Sequence, residues 1–122
     1  MALIPIVRVT DMARAVEFYT RVLDFEHEGT WPAMTDPSYT VLRRQGHELH
    51  LSSHAGDGVA GQAVGVLVGD VDALAGRLAV RGLDQRHLSD SPVHCAPVDQ
   101  SWGTREFYVD DPDGNSIRFI QR

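Results

Sequence analysis

The chain has 122 residues, 11 of them basic and 17 acidic, for a formal net charge of −6. This length, with a 43% hydrophobic content, describes one domain able to bury roughly two-thirds of its unfolded surface, and the acid excess speaks against nucleic acid or an anionic membrane as partner. No apolar run approaches the roughly 18 residues of a spanning helix, Met1-Ala-Leu-Ile-Pro5 lacks a signal peptide's basic start, and the lone Cys95 forms neither an intramolecular disulfide nor a multi-cysteine zinc site. The expectation is a cytoplasmic protein.

In chain order, an apolar strand from Leu3 to Val9 leads to Asp11, which sits where a helix N-cap belongs. Met12, Ala15, Val16, Tyr19 and Val22 then follow the spacing of a one-sided helix. Strand-like stretches come next at about Phe25 to Trp31, Ser38 to Arg44 and Glu48 to Ser53, with Gly46 as a turn residue. A second apolar strand, Ala63 to Val68, leads to Asp70 and to the helical set Val71, Leu74, Ala75 and Leu78. Arg81 and Gly82 close that helix, a cation in its last turn followed by a residue free to take positive φ. Strands are predicted again at Leu83 to Leu88, Thr104 to Val109 and Ser116 to Gln121, with Asp111-Pro-Asp-Gly114 turning the chain before the last.

This order is a repeat. Val9-Thr-Asp-Met-Ala-Arg-Ala-Val-Glu-Phe-Tyr19 corresponds to Val68-Gly-Asp-Val-Asp-Ala-Leu-Ala-Gly-Arg-Leu78 at an offset of 59. Gly46-His-Glu-Leu-His-Leu51 corresponds to Gly114-Asn-Ser-Ile-Arg-Phe119 at an offset of 68. The predicted fold is α+β: two βαβββ units, residues 1–56 and 57–122 of a single domain, forming curved mixed sheets around a cleft with helices on the outer face. A unit of about 55 residues buries little core alone, so the sheets should pair within the chain or between chains, which makes dimerisation a natural expectation.

Strand alternation sorts the side chains. Leu49 and Leu51 face the helix layer and Glu48, His50 and Ser52 the other side; Ile117 and Phe119 pack inward, with Ser116, Arg118 and Ile120 opposite. His50 and Arg118 thereby hold equivalent places, as do Ile4 and Ala63. One imidazole, one guanidinium and two apolar groups do not supply the roughly three His, Glu, Asp or Cys ligands a divalent metal needs, so no metal and no cofactor is expected. His50 is read either as hydrogen-bonded to Glu48 or Glu106 or as a ligand contact, and Arg118 either as ion-paired to Glu106 or Asp110 or as functional. His27, His47, His54, His87 and His94 are read as solvent-facing or incidental.

No nucleophile elbow, phosphate loop or dinucleotide fingerprint is present, and no catalytic residue is assigned. A Glu48–His50 general base stays open, because i and i+2 share a strand face. The aromatic residues Trp31, Tyr39 and Trp102, the last beside Gly103 at the entrance to the seventh strand, suit a planar, cationic ligand through stacking and cation–π attraction.

The two units, the opening Ile4-Pro-Ile-Val with Asp11-Met-Ala-Arg-Ala-Val-Glu-Phe-Tyr19 and Leu23-Asp-Phe25, and the closing Ser101-Trp-Gly-Thr-Arg-Glu-Phe-Tyr-Val-Asp-Asp-Pro-Asp-Gly-Asn115 with Phe119, resemble the vicinal oxygen chelate superfamily. Within it they are similar to the bleomycin resistance protein branch. Metal-dependent members of the superfamily, such as glyoxalase I and the extradiol dioxygenases, draw ligands from the first, fourth, fifth and eighth strands, and those places hold Ile4, His50, Ala63 and Arg118 here. The resemblance to the metal-free branch implies a homodimer, with exchange of the N-terminal strand near Pro5, that sequesters a cationic antibiotic in an acidic cleft without chemistry. It implies aromatic contacts from residues matching Trp102 and Tyr39 and a polar cleft position at Ser52. The candidate ligand-binding set is therefore Trp102, Tyr39, Trp31, His50, Ser52, Arg118, Glu48 and Gly103. The alternative is a lyase or dioxygenase of the same fold with an atypical or absent metal.

Overall fold

The structure is a computed structural model describing all of residues 1–122. It contains two four-stranded mixed sheets and few helices. Its two compact units are residues 1–62 with 111–115, and residues 63–110 with 116–122.

In the first unit β1 (Ile6–Arg8), β4 (His47–Ser52), β3 (Tyr39–Arg44) and β2 (Glu26–Trp31) lie in the order β1-β4-β3-β2, with the β1–β4 pair parallel and the rest antiparallel. Helix α1 (Met12–Glu17) begins where the Asp11 carboxylate accepts the Arg14 backbone N–H at 3.1 Å. The periodicity predicted a single helix through Val22; the chain instead loosens into one π-helical turn, Phe18–Val22, with Leu23 N–H bonded to Phe18 C=O. Val7, Val9, Met12, Ala15, Tyr19, Leu23, Leu42, Leu49 and Leu51 form the core of this unit.

In the second unit β5 (Ala63–Leu67), β8 (Ser116–Gln121), β7 (Arg105–Asp110) and β6 (Val98–Asp99) repeat the arrangement, again with one parallel pair. Helix α2 (Val71–Val80) is capped by Asp70, whose carboxylate accepts the Ala73 N–H at 3.0 Å, and it ends before Gly82 at φ +99°. Val71, Leu74 and Leu78 pack with Phe107, Val109, Ile117 and Phe119.

Two expectations are corrected. Leu83 to Leu88 is not a strand: Arg86–Leu88 forms a 3₁₀ turn, α3 (Pro92–Cys95) follows, and the two residues of β6 complete the sheet. Local polar bonds outcompete a ladder here. Asp84 takes the Arg86 backbone N–H at 3.2 Å, and at longer range the side-chain amide of the buried Gln85 donates to the His94 and Tyr108 carbonyls while accepting from Asp110 N–H. The first strand is also shorter than Leu3 to Val9: pairing begins at Pro5, whose carbonyl accepts His50 N–H at 3.0 Å, and Met1 to Ile4 are exposed.

The turn at residues 111–115 supplies the first unit with a buried polar knot. Asp111 accepts the backbone N–H groups of Asp113 and Asn115 on one oxygen and Tyr19 O–H (2.8 Å) and Asn115 Nδ2–H on the other. Asn115 in turn bonds the Arg8 carbonyl and the N–H groups of Gly61 and Gln62. Burial, reinforced by the neighbouring Asp111, holds the Tyr19 phenol well above its usual titration range. Tyr19→Phe should lower unfolding free energy by about 1–3 kcal/mol, because Asp111 loses a donor it cannot replace from solvent; urea denaturation of both proteins checks this.

Candidate functional site

Each sheet buries one face and leaves the other open, so the candidate residues divide into two sets.

On the open face of the first sheet, cross-strand register makes rows. Trp31, Tyr39, Ser52 and Arg8 form one row; Gly29, Val41, His50 and Ile6 the next; Glu26, Arg43 and Glu48 a third. The structure therefore brings Trp31, Tyr39, His50 and Glu48 onto one surface; Ser52 lies in the same register but is fully buried, which corrects its reading as a polar cleft contact. Trp31 is the last residue of β2, 56% exposed, and its indole folds back over Gly29, where a Cβ would collide with it. His50 is held at both nitrogens, Nδ1 by Tyr39 Oη at 2.6 Å and Nε2 by Glu48 at 3.1 Å. A carboxylate only accepts, so Nε2 carries the hydrogen, and in the neutral imidazole Nδ1 receives the Tyr39 O–H. Burial, then the charges of Asp57 and Glu48, raise the Tyr39 pKa and keep that phenol protonated. Ser52 Oγ donates to Asp57 at 2.6 Å, which adds a carboxylate to the surface. The chain Glu48–His50–Tyr39 can orient a phenolic hydrogen and shift it by one bond; Glu48 also lies 3.9 Å from Arg43.

On the second sheet Thr104, Glu106 and Tyr108 share the open face with Arg118, while Phe107 and Val109 are buried. Glu106 is only 4% exposed. Its carboxylate accepts from Trp102 Nε1–H at 3.0 Å, Tyr108 O–H at 2.6 Å and the Thr104 hydroxyl. Burial alone would raise its pKa, but these three bonds and the nearby Arg118 together hold it below the usual carboxylate range. Gly103, at φ +98°, makes the turn that swings Trp102 over Glu106. The indole is thus tethered by its N–H and yet 66% exposed. Arg118 makes no ion pair with Glu106 or Asp110, correcting that alternative; its guanidinium stacks on Tyr108, 4.7 Å from the ring centre, a cation–π contact. Asp110 is engaged elsewhere, by His94 at 2.9 Å, whose other nitrogen meets Ser91 at 2.7 Å, so His94 is a half-buried structural residue and not an incidental one.

Sequence reading missed Asp57 and Tyr108 and saw Glu106 only as a partner. Tyr108 was within reach, since it alternates with the buried Phe107 and Val109; Asp57 was not, because a loop residue has no periodicity. No three His, Cys, Asp or Glu side chains converge with metal-holding geometry. The places that carry the ligands in metal-dependent relatives offer Ile4, His50, Ala63 and Arg118, and these residues do not fit a divalent metal.

Two sheets built from βαβββ units, each presenting an aromatic and acidic face, define an α+β fold of the glyoxalase type. The glyoxalase superfamily protein model matches residues 1–122, and the chain belongs to that superfamily. No curated protein matches it. Among solved structures it is similar to the bleomycin resistance determinant encoded on transposon Tn5, with TM-score 0.77 and 22% identity over 100% of this chain and 98% of that one. A bleomycin-binding protein complexed with bleomycin gives TM-score 0.76 and 21% identity over 100% and 98%. Lactoylglutathione lyase from Agrobacterium tumefaciens gives 0.71 and 17% over 99% and 92%. These structural neighbours thus include binding proteins and an enzyme, and at these identities the likeness concerns the fold.

The depressed Glu106 carboxyl contributes stability that is complete above the usual carboxylate range and is lost as pH falls through its lower folded value. Glu106→Gln should therefore flatten the acid limb of a plot of melting temperature against pH, and an unchanged limb would contradict this assignment.

Proposed function

We propose that this protein is a binding protein of the bleomycin resistance type, which sequesters a partly planar, cationic antibiotic without modifying it. The observation that carries this reading is Trp102: an indole two-thirds exposed yet tethered through Nε1 to a buried carboxylate is preorganised for stacking. Trp31 and Tyr39, adjacent in cross-strand register, give the first sheet a second aromatic surface beside the carboxylates of Glu48 and Asp57. The net charge of −6 favours a cation at long range. The protein acts as a homodimer; the exposed Leu3, Ile4 and Ile6 at the first strand and Leu67 on β5 support this.

Titration with bleomycin, followed by tryptophan fluorescence, tests the reading. Saturable quenching is expected, weakening as sodium chloride rises, and Trp102→Ala should reduce affinity about tenfold. No response to bleomycin in any salt would sink the proposal. A second reading, metal-free proton transfer in a lyase, is favoured by one arrangement, the Glu48–His50–Tyr39 chain. Turnover of a hemithioacetal that is abolished in both His50→Ala and Tyr39→Phe would establish it in place of sequestration.

A further inference from the structure

We propose that the open face of β7 and β8 is an anion subsite: the ligand carries an acidic group, a carboxylate or its like, next to its aromatic ring, and Arg118 receives it. This rests on the reading of that face as a ligand surface and adds a charge that the cationic-drug reading does not contain.

The argument is an accounting of donors and acceptors. Glu106, the buried carboxylate of this face, already accepts from Trp102, Thr104 and Tyr108, so it has little left for a cation. Asp110, at the far end of β7, is bonded to His94. Arg118 is exposed and takes part in no ion pair, so all five of its N–H donors are available. It is not a freely waving side chain, however. Its guanidinium carbon sits over the Tyr108 ring, directly cross-strand from it, and the Tyr108 hydroxyl is itself fastened to Glu106. On its other flank, in register on β5, stands Gly65, which has no side chain to cover it. The result is a positioned, uncovered guanidinium beside a tethered indole. A planar fork of this kind is matched by carboxylate geometry, which it binds through two parallel hydrogen bonds. The nearby Glu106 carboxylate offsets part of the guanidinium's charge, so the preference for an anion is modest.

The test uses three probes with one ring: 2-naphthoate, the neutral 2-naphthamide and 2-naphthylmethylammonium. Binding is followed by NMR through the Trp102 indole N–H resonance. The carboxylate should bind about fivefold more tightly than the amide. Arg118→Ala should erase that preference, so that carboxylate and amide bind alike, and Arg118→Lys should keep only part of it, because a point charge lacks the fork. Equal affinities for carboxylate and amide in the wild type, a preference for the ammonium probe, or a carboxylate preference that survives Arg118→Ala would each overturn the inference. Its failure is separable from that of the preceding reading. Bleomycin binding without a naphthoate preference removes the anion subsite alone; a naphthoate preference without bleomycin binding removes the proposed drug alone.

Discussion

A carboxylate 5% exposed to water has to be given partners, and Asp111 receives four: two backbone N–H groups, a phenol and an amide. Leaving any of these unmade inside the fold would cost the desolvation of a charged group without compensation. Because the donors come from the turn itself, from the π-helical turn after α1 and from Asn115, satisfying Asp111 fixes all three at once. Asn115 carries the constraint onward to Arg8 on β1 and to the backbone at Gly61 and Gln62. The segment that turns between β7 and β8 thus ties down the helix end, the first strand and the approach to β5.

The two faces use the same residue types differently. In the first unit the acid lies at the accessible end: Glu48 is partly exposed, its histidine is oriented by it, and the phenol of Tyr39 ends the chain. In the second the acid lies at the bottom, consumed by the aromatic side chains it positions, and a guanidinium is left on the surface. Duplicated strands therefore do not give duplicated chemistry. His50 and Arg118 occupy equivalent places, yet one accepts a hydrogen bond and the other offers only donors.

Much of this organisation was legible from residues alone. Asp11 and Asp70 cap the helices as their position before an apolar periodic run implied, and Ser116 to Gln121 is a strand at the bounds its alternation indicated. The inward set Leu49, Leu51, Ile117 and Phe119 is buried, and of the residues assigned to the other face only Ser52 is buried with it. The failure at Leu83 to Leu88 has a definite cause. Leu83 to Leu88 was expected to pair as a strand, but Gln85 spends its side-chain amide on the carbonyls of two distant residues. The partners of Arg118 failed for a similar reason: a charge-based guess named Glu106 and Asp110, while hydroxyl, indole and imidazole donors had already taken those acids.

Sequence by itself determined the repeat, the class of fold and which residues of β4 and β8 pack inward, because these follow from periodicity and from the short-range chemistry of caps and turns. Only the tertiary structure decided which polar groups are free to meet a ligand. Availability is what is left after long-range hydrogen bonds are made, and residues such as Trp102 and Glu106, or Tyr39 and His50, reveal their pairing only once the strands are laid in register.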